Sequence, residues 1–228
     1  MKNHLKRISA PKTWKINRQE NTFVIRPTAS GHQLGSGLPL GVILRDFLKL
    51  VNTTSEVKKL LNRSAVLVDG TRVKDYRQQV GMFDLLRVEK INKTYRVVFD
   101  QKGRINLREV EANSTLKPRK IIGKTLLPGG KVQYNLYDGR NLIADLKAQV
   151  GDSLLMDVAK GEVKEVLPLA KGAAVFLIHG KHSGSVGTLK EVKGKEAVYI
   201  QEGKEVGTLK EYLFVVGKHK PMIEVSLE

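Results

Sequence analysis

The sequence predicts an α+β, multidomain fold: a helical pair closed by a hairpin, then a central β domain, then a small C-terminal β-barrel. Three observations predict it. Apolar residues from Leu40 to Leu61 recur at helical spacing, those after Tyr95 fall in short alternating runs, and Asp-Gly or Gly-rich turns separate the runs. With 228 residues, 41% of them hydrophobic, the chain can bury several compact cores. The pattern changes set the expected boundaries: a basic N-terminal arm over 1–40, the helical pair and hairpin over 41–90, the central β domain over 91–170 and the barrel over 171–228.

The arm is the most cationic stretch, with seven Lys or Arg against the single acid Glu20. Trp14, Phe23, His4 and His32 are scattered among Pro and Gly, so it cannot bury much by itself and must order against something else. It reads either as a solvated basic tail or, as its charge density favours, as an arm lying on a phosphate backbone through Lys2, His4, Lys6, Arg7, Lys12, Lys15 and Arg26, with Trp14 wedged under the first domain. Leu40, Ile43, Leu44, Phe47 and Leu48 then form the stripe of an amphipathic helix, with Arg45 and Lys49 facing outward. Thr53 to Glu56 is a capping box that opens a second helix, Val57, Leu60 and Leu61 inward, Lys58, Lys59 and Arg63 on its other surfaces. Val66 to Val68, Asp69-Gly70 and Thr71 to Val73 form a hairpin that carries Arg72, because Asp-Gly supplies the two positive φ angles of a tight turn. Leu85 to Val88 is a further short strand.

Tyr95 to Phe99 and Ile105 to Val110 read as a strand pair around the turn Asp100 to Gly103, and Asp138-Gly139 as another turn. Glu111 to Lys120 reads as a polar loop whose Lys117, Arg119 and Lys120, placed around Pro118, are either free to meet phosphate or merely solvated. From Ala173 a buried strand leads into Gly180, Gly184 and Gly187, with Lys181, His182 and Ser183 at the loop tip, able to donate to phosphate or stack on a base. A plain loop without a partner fits the same residues.

The balance of 40 Lys and Arg against 23 Asp and Glu, net +17, calls for a polyanionic partner. Zero Cys excludes disulfides, thiol catalysis and Cys-ligated zinc. The longest apolar run, Ala173 to Ile178, is far short of the roughly 20 residues of a membrane helix, and the N-terminus lacks a signal's apolar region. Gly123-Lys124-Thr125 is no phosphate loop, because Pro118 stands where a Gly is required, and Gly35-Ser36-Gly37 lacks the third Gly of a dinucleotide loop. His179 and His182 are two ligands where a metal needs three or four. Glu109 and Glu111 have nothing to orient them for acid–base work, and no G-x-S-x-G turn is present. The expectation is no enzyme, no cofactor and no metal.

Two short helices, a V-x-V-[ND]-G hairpin and a G-x-x-D-x-[IL]-x-V strand together resemble the S-four RNA-binding domain, with Thr54 where that domain often has Arg. Ala173 to Val192 resembles a KOW motif, the strand-loop-strand unit of small SH3-like barrels, which in different proteins meets RNA or protein. The ordered strings HLKRISAPKTW, LPLGVILRD, EVKKLL, VDG, VGMFD, FDQKGRINL and FVVGKHKPMIEV are similar to the S-four-e family of small-subunit ribosomal proteins over nearly the whole chain. That resemblance implies a structural constituent of the small ribosomal subunit, cytoplasmic and ribosome-bound. Its partners would be folded rRNA and neighbouring ribosomal proteins, with no membrane and no small-molecule substrate. The alternative is an RNA-binding regulatory or elongation factor that uses its KOW barrel for protein contacts. An RNA-modifying enzyme with an S-four docking module would need a larger catalytic domain than residues 91–228 provide.

Overall fold

The computed structural model describes residues 4–63, 66–111 and 114–224. It overturns the α+β expectation: the protein is β-rich and multidomain, with 42% strand and 13% helix among the described residues. The backbone separates into two compact units. One runs to Val98 and takes in Arg104–Ser114; the other holds Phe99–Gly103 and the described residues from Thr115 on.

The first unit opens with β1 (Leu5–Lys6) and β2 (Phe23–Val24), an antiparallel pair, followed by β3 (Gly37–Pro39). The helical pair is not there. α1 is a single turn, Leu40–Val42, and the chain widens into a π turn over Ile43–Phe47, with the Leu48 N–H reaching Ile43 O at 2.9 Å. Leu40, Ile43 and Leu44 are fully buried, but Phe47 and Leu48 are only half-buried, too little burial to carry a helix onward, and Lys49 stops it at φ 50°. α2 (Thr54–Asn62) is a true amphipathic helix, burying Val57 and Leu61. Thr53 caps it by accepting from the Glu56 N–H at 3.3 Å, while the Glu56 carboxylate accepts from the Asn52 N–H at 2.9 Å. The Asn52 bond first, and the Thr53 hydroxyl after it, hold the Glu56 carboxyl below its ordinary range.

The hairpin β4 (Val66–Val68) and β5 (Thr71–Arg72) turns at Asp69 and Gly70, φ 50° and 71°. β6 (Gln79–Gly81) pairs with β3, and β7 (Leu85–Val88), β8 (Lys93–Phe99) and β9 (Ile105–Val110) complete a five-stranded sheet in the order β5-β4-β7-β8-β9.

In the second unit, β10 (Leu116–Leu126), β11 (Val132–Leu136), β12 (Asn141–Ile143), β13 (Ser153–Asp157) and β14 (Glu162–Leu167) form a sheet in the order β12-β11-β10-β13-β14. It packs around Ile121, Tyr134, Leu136, Leu154 and Met156. β15 (Ala174–Leu177), β16 (Val186–Lys193), β17 (Glu196–Gln201), β18 (Lys204–Leu209) and β19 (Leu213–Gly217) form another, ordered β18-β17-β16-β15-β19. β18 and β19 stand at its ends, so where the sequence predicts an SH3-like β-barrel the structure has a half-barrel.

Gly184 has φ 88°, and an added Cβ would sit 1.9 Å from the Asp100 carbonyl oxygen. The close approach that this glycine permits is thus to the protein's own chain.

The Lys120 ammonium, buried in the second unit, donates to Glu211 O at 2.6 Å and Leu213 O at 2.7 Å, tying β10 to the start of β19. Burial, opposed by Glu211 and reinforced by Lys210, lowers its pKa to about 8. The folded value lies below the unfolded one, so from about pH 8 to about 10.4 the unfolded chain holds a proton that the folded chain has lost. Stability therefore rises with pH across that window. Urea unfolding at pH 7.5 and 10 is expected to show wild type gaining about 2 kcal/mol relative to Lys120→Met; parallel pH responses of the two proteins would contradict it.

Candidate nucleic-acid interface

In the first unit the N-terminal segment is fastened down by its own basic residues. Arg7 is 2% exposed; its guanidinium donates to Asn17 O and to Asp46 at 3.3 Å and stands 3.6 Å from Glu20. Arg18 donates to the carbonyls of Ile8, Ala10 and Pro11 at 2.9–3.0 Å. Trp14, also 2% exposed, donates from Nε1 to Leu34 O at 3.3 Å, and the Ile105 N–H donates to Thr13 O at 2.8 Å. These bonds hold Lys12 and Lys15, both exposed, beside Arg104, which immediately precedes β9.

The result is a cleft of about 540 Å³ whose charged lining is Lys12, Lys15, Arg18 and Arg104, with no acid among its lining residues. Like charges gathered this way repel one another, and a polyanion relieves the repulsion. A neighbouring cleft of about 500 Å³ is different. It brings Lys15, Arg45 and Lys49 together with Glu20 and Asp46, and Arg45 Nε lies 2.6 Å from Asp46 Oδ1. That hydrogen bond raises the Arg45 pKa and leaves the side chain 21% exposed, so its charge is already matched.

The α2 surface carries Lys58, Lys59 and Arg63, all exposed, with Lys59 and Arg63 one turn apart. Lys58 Nζ lies 5.1 Å from the centre of the Tyr76 ring, which limits its sweep. Arg72 donates to Asn62 O at 3.0 Å and so flanks the end of α2. Lys6, Arg26 and His4 are exposed, His4 with its ring 5.4 Å from that of Phe23. Lys2 lies outside the described residues.

Three expected loop residues are corrected. The stretch from Leu116 is a strand, and Lys117, Arg119 and Lys120 are 2%, 5% and 7% exposed. Lys117 and Arg119 meet Asp138 at 3.4 and 3.0 Å, and Lys120 holds the two carbonyls described above. Pro118, read as a loop marker, sits within β10 with its side chain buried. Burial removes all three cations from the surface on which a phosphate could settle. Arg7 leaves the surface for the same reason.

In the half-barrel, Lys181 and His182 are exposed at the tip of the loop after β15, while Ser183 is half-buried and donates to Ile178 O at 2.9 Å. Ser183 thus shapes the loop. Arg104 and Arg18 escaped sequence reasoning as members of a cationic group, because spacing alone does not bring residue 104 beside residue 15. The Gly-Arg turn of FDQKGRINL was the available signal.

Among the described residues no three His, Cys, Asp or Glu gather to hold a metal ion, and no helix is long and apolar enough to cross a membrane.

Two family models match the chain, an RS4NT (NUC023) domain over residues 1–34 and Ribosomal family S4e over residues 91–163. Small ribosomal subunit protein eS4 of Methanocella arvoryzae is 40% identical over 229 residues, covering 97% of each chain. The chain belongs to the S4e family of ribosomal proteins. The eS4 proteins of Methanosphaera stadtmanae and Archaeoglobus fulgidus are 42% and 39% identical, over 97% and 98% of this S4e chain and 95% and 98% of their own. The crystal structure of the 30S ribosomal protein S4e from Thermoplasma acidophilum matches at a TM-score of 0.69 and 27% identity, covering 80% of this chain and 96% of that one. The RS4NT match lies over the segment that supplies Lys12, Lys15 and Arg18 to the acid-free cleft, and the S4e match contains Arg104.

Proposed function

We propose that this protein is a structural constituent of the small ribosomal subunit, ribosome-bound, that holds folded rRNA in place beside neighbouring ribosomal proteins and performs no chemistry on it. Membership of the S4e family supports the assignment to the subunit. The observation that carries the RNA role is the cleft lined by Lys12, Lys15, Arg18 and Arg104 without an acid. It acts with the exposed Lys58 and Lys59 of α2, with Arg63 at that helix's C-cap, and with the loop tip at Lys181 and His182. Affinity comes mainly from phosphate neutralisation, and recognition is largely of shape.

The test is charge reversal on α2, whose inward face is spared by it. Lys58→Glu with Lys59→Glu is expected to weaken binding to small-subunit rRNA at least about tenfold and to reduce the salt slope by roughly two. The far-ultraviolet circular dichroism spectrum should stay that of wild type. Wild-type affinity in the double variant would remove α2 from the interface. Cosedimentation with small ribosomal particles tests the wider reading, and a protein that never enters them would defeat it.

A further inference from the structure

We propose that a cleft in the half-barrel, between the edge strand β18 and the loop after β15, receives one unstacked nucleotide of the bound RNA. The inference rests on the ribosomal reading above and adds a base contact to an interface otherwise built on phosphates. The cleft holds about 490 Å³, within the roughly 300–1,000 Å³ range of small-molecule sites. Leu177, Val198, Val206 and Leu209 give it an apolar lining. His179 and Tyr212 also line it, their ring centres 5.7 Å apart and their planes at 78°. Two rings so disposed offer a flat base one face to stack on and one edge to abut. Burial, with Lys120 as a second cause, lowers the His179 pKa, which favours a neutral ring suited to stacking.

Lys181 and His182 line the same cleft and are exposed, so cationic and hydrogen-bonding groups border an apolar, aromatic interior. A nucleotide has the same division, a flat base with an anionic phosphate beside it. An apolar side chain of a neighbouring protein would match the interior and leave Lys181 without a counterpart. Glu196 also lines the cleft; its carboxylate suits the exocyclic amine of adenine, cytosine or guanine and repels phosphate from that side.

The test uses the full chain and two probes, adenosine monophosphate and a labelled hexaadenylate, at one fixed salt concentration. Nuclear magnetic resonance should show the monophosphate shifting the ring signals of Tyr212 and His179. Tyr212→Leu, which keeps apolar volume and loses the ring, should weaken hexaadenylate binding about tenfold or more, whereas Tyr212→Phe should keep most of it. Thermal melts of both variants check that the half-barrel still folds. Shifts confined to the cations of α2, with Tyr212→Leu binding like wild type, would overturn the nucleotide cleft while leaving rRNA binding intact. Displacement of the ring signals by a neighbouring ribosomal protein, with the monophosphate silent, would overturn it in favour of a protein occupant. Loss of rRNA binding by wild type itself would instead strike the ribosomal reading.

Discussion

Raising salt from 50 to 200 mM is expected to weaken binding to small-subunit rRNA by roughly a thousandfold. The figure follows from counterion release at about six phosphates, each contributing about −0.9 to the slope of log affinity against log salt for a duplex. The structure supplies that many exposed cations on separate patches: Lys6, Lys12 and Lys15 on the N-terminal segment, Lys58, Lys59 and Arg63 around α2, and Lys181 in the half-barrel. It also says which basic residues should not contribute. Arg7 and Arg45 are set against two acids, Arg7 between Glu20 and Asp46 and Arg45 on Asp46, and Lys117, Arg119 and Lys120 are buried. Filter binding across a salt series should therefore give the same slope for Arg45→Ala as for wild type, while Lys12→Ala with Lys15→Ala flattens it by roughly two. A flat wild-type response would mean that affinity does not come from phosphates. An Arg45→Ala slope as shallow as that of the lysine pair would mean that Asp46 releases Arg45 to the RNA.

How much was legible before the structure depended on how local each cause was. The Asp69-Gly70 turn and the Thr53–Glu56 cap are set by residues within one turn of each other, and both form where spacing places them. The first helix failed because its period is matched by burial for little more than one turn. Leu40, Ile43 and Leu44 enter the core, but nothing covers Phe47 and Leu48 well enough to continue it. The C-terminal barrel was legible as a run of short strands but not as a half-barrel, because which strands stand at a sheet's ends is decided by long-range packing, which alternation does not encode.

Charge was the least legible property of the candidate site. Exposed and buried lysines look alike in sequence, and the string L-K-P-R-K reads as a polar loop until Asp138, eighteen residues downstream of Lys120, is seen beside it. The cationic cleft needed the opposite correction. Lys12 and Lys15 were legible as cations of the N-terminal segment, and both are exposed, but their grouping with Arg104 depends on the Thr13–Ile105 backbone bond between distant segments.

Replacing Asp138 with Ala is expected to cost about 3–5 kcal/mol of folding stability. The Asp138 side chain is 5% exposed, and those of Lys117 and Arg119 are 2% and 6% exposed. Removing the carboxylate leaves two buried cations without it, and the penalty of holding charge away from water then falls on the folded state. The exposed Arg140, 4.0 Å away, can turn to solvent and adds little. A second loss is local: Asp138 Oδ1 accepts from the Arg140 N–H at 3.2 Å, in a turn whose Gly139 has φ 75°. Asp138→Asn separates the two effects, because an amide oxygen still accepts from Arg140 while the charge is gone. If buried charge dominates, Asp138→Asn falls nearer to Asp138→Ala than to wild type in urea unfolding, and Lys117→Met in the Asp138→Ala background recovers part of the loss. A cost below about 1 kcal/mol for Asp138→Ala would show that the pairing with Asp138 is not what compensates these two buried charges.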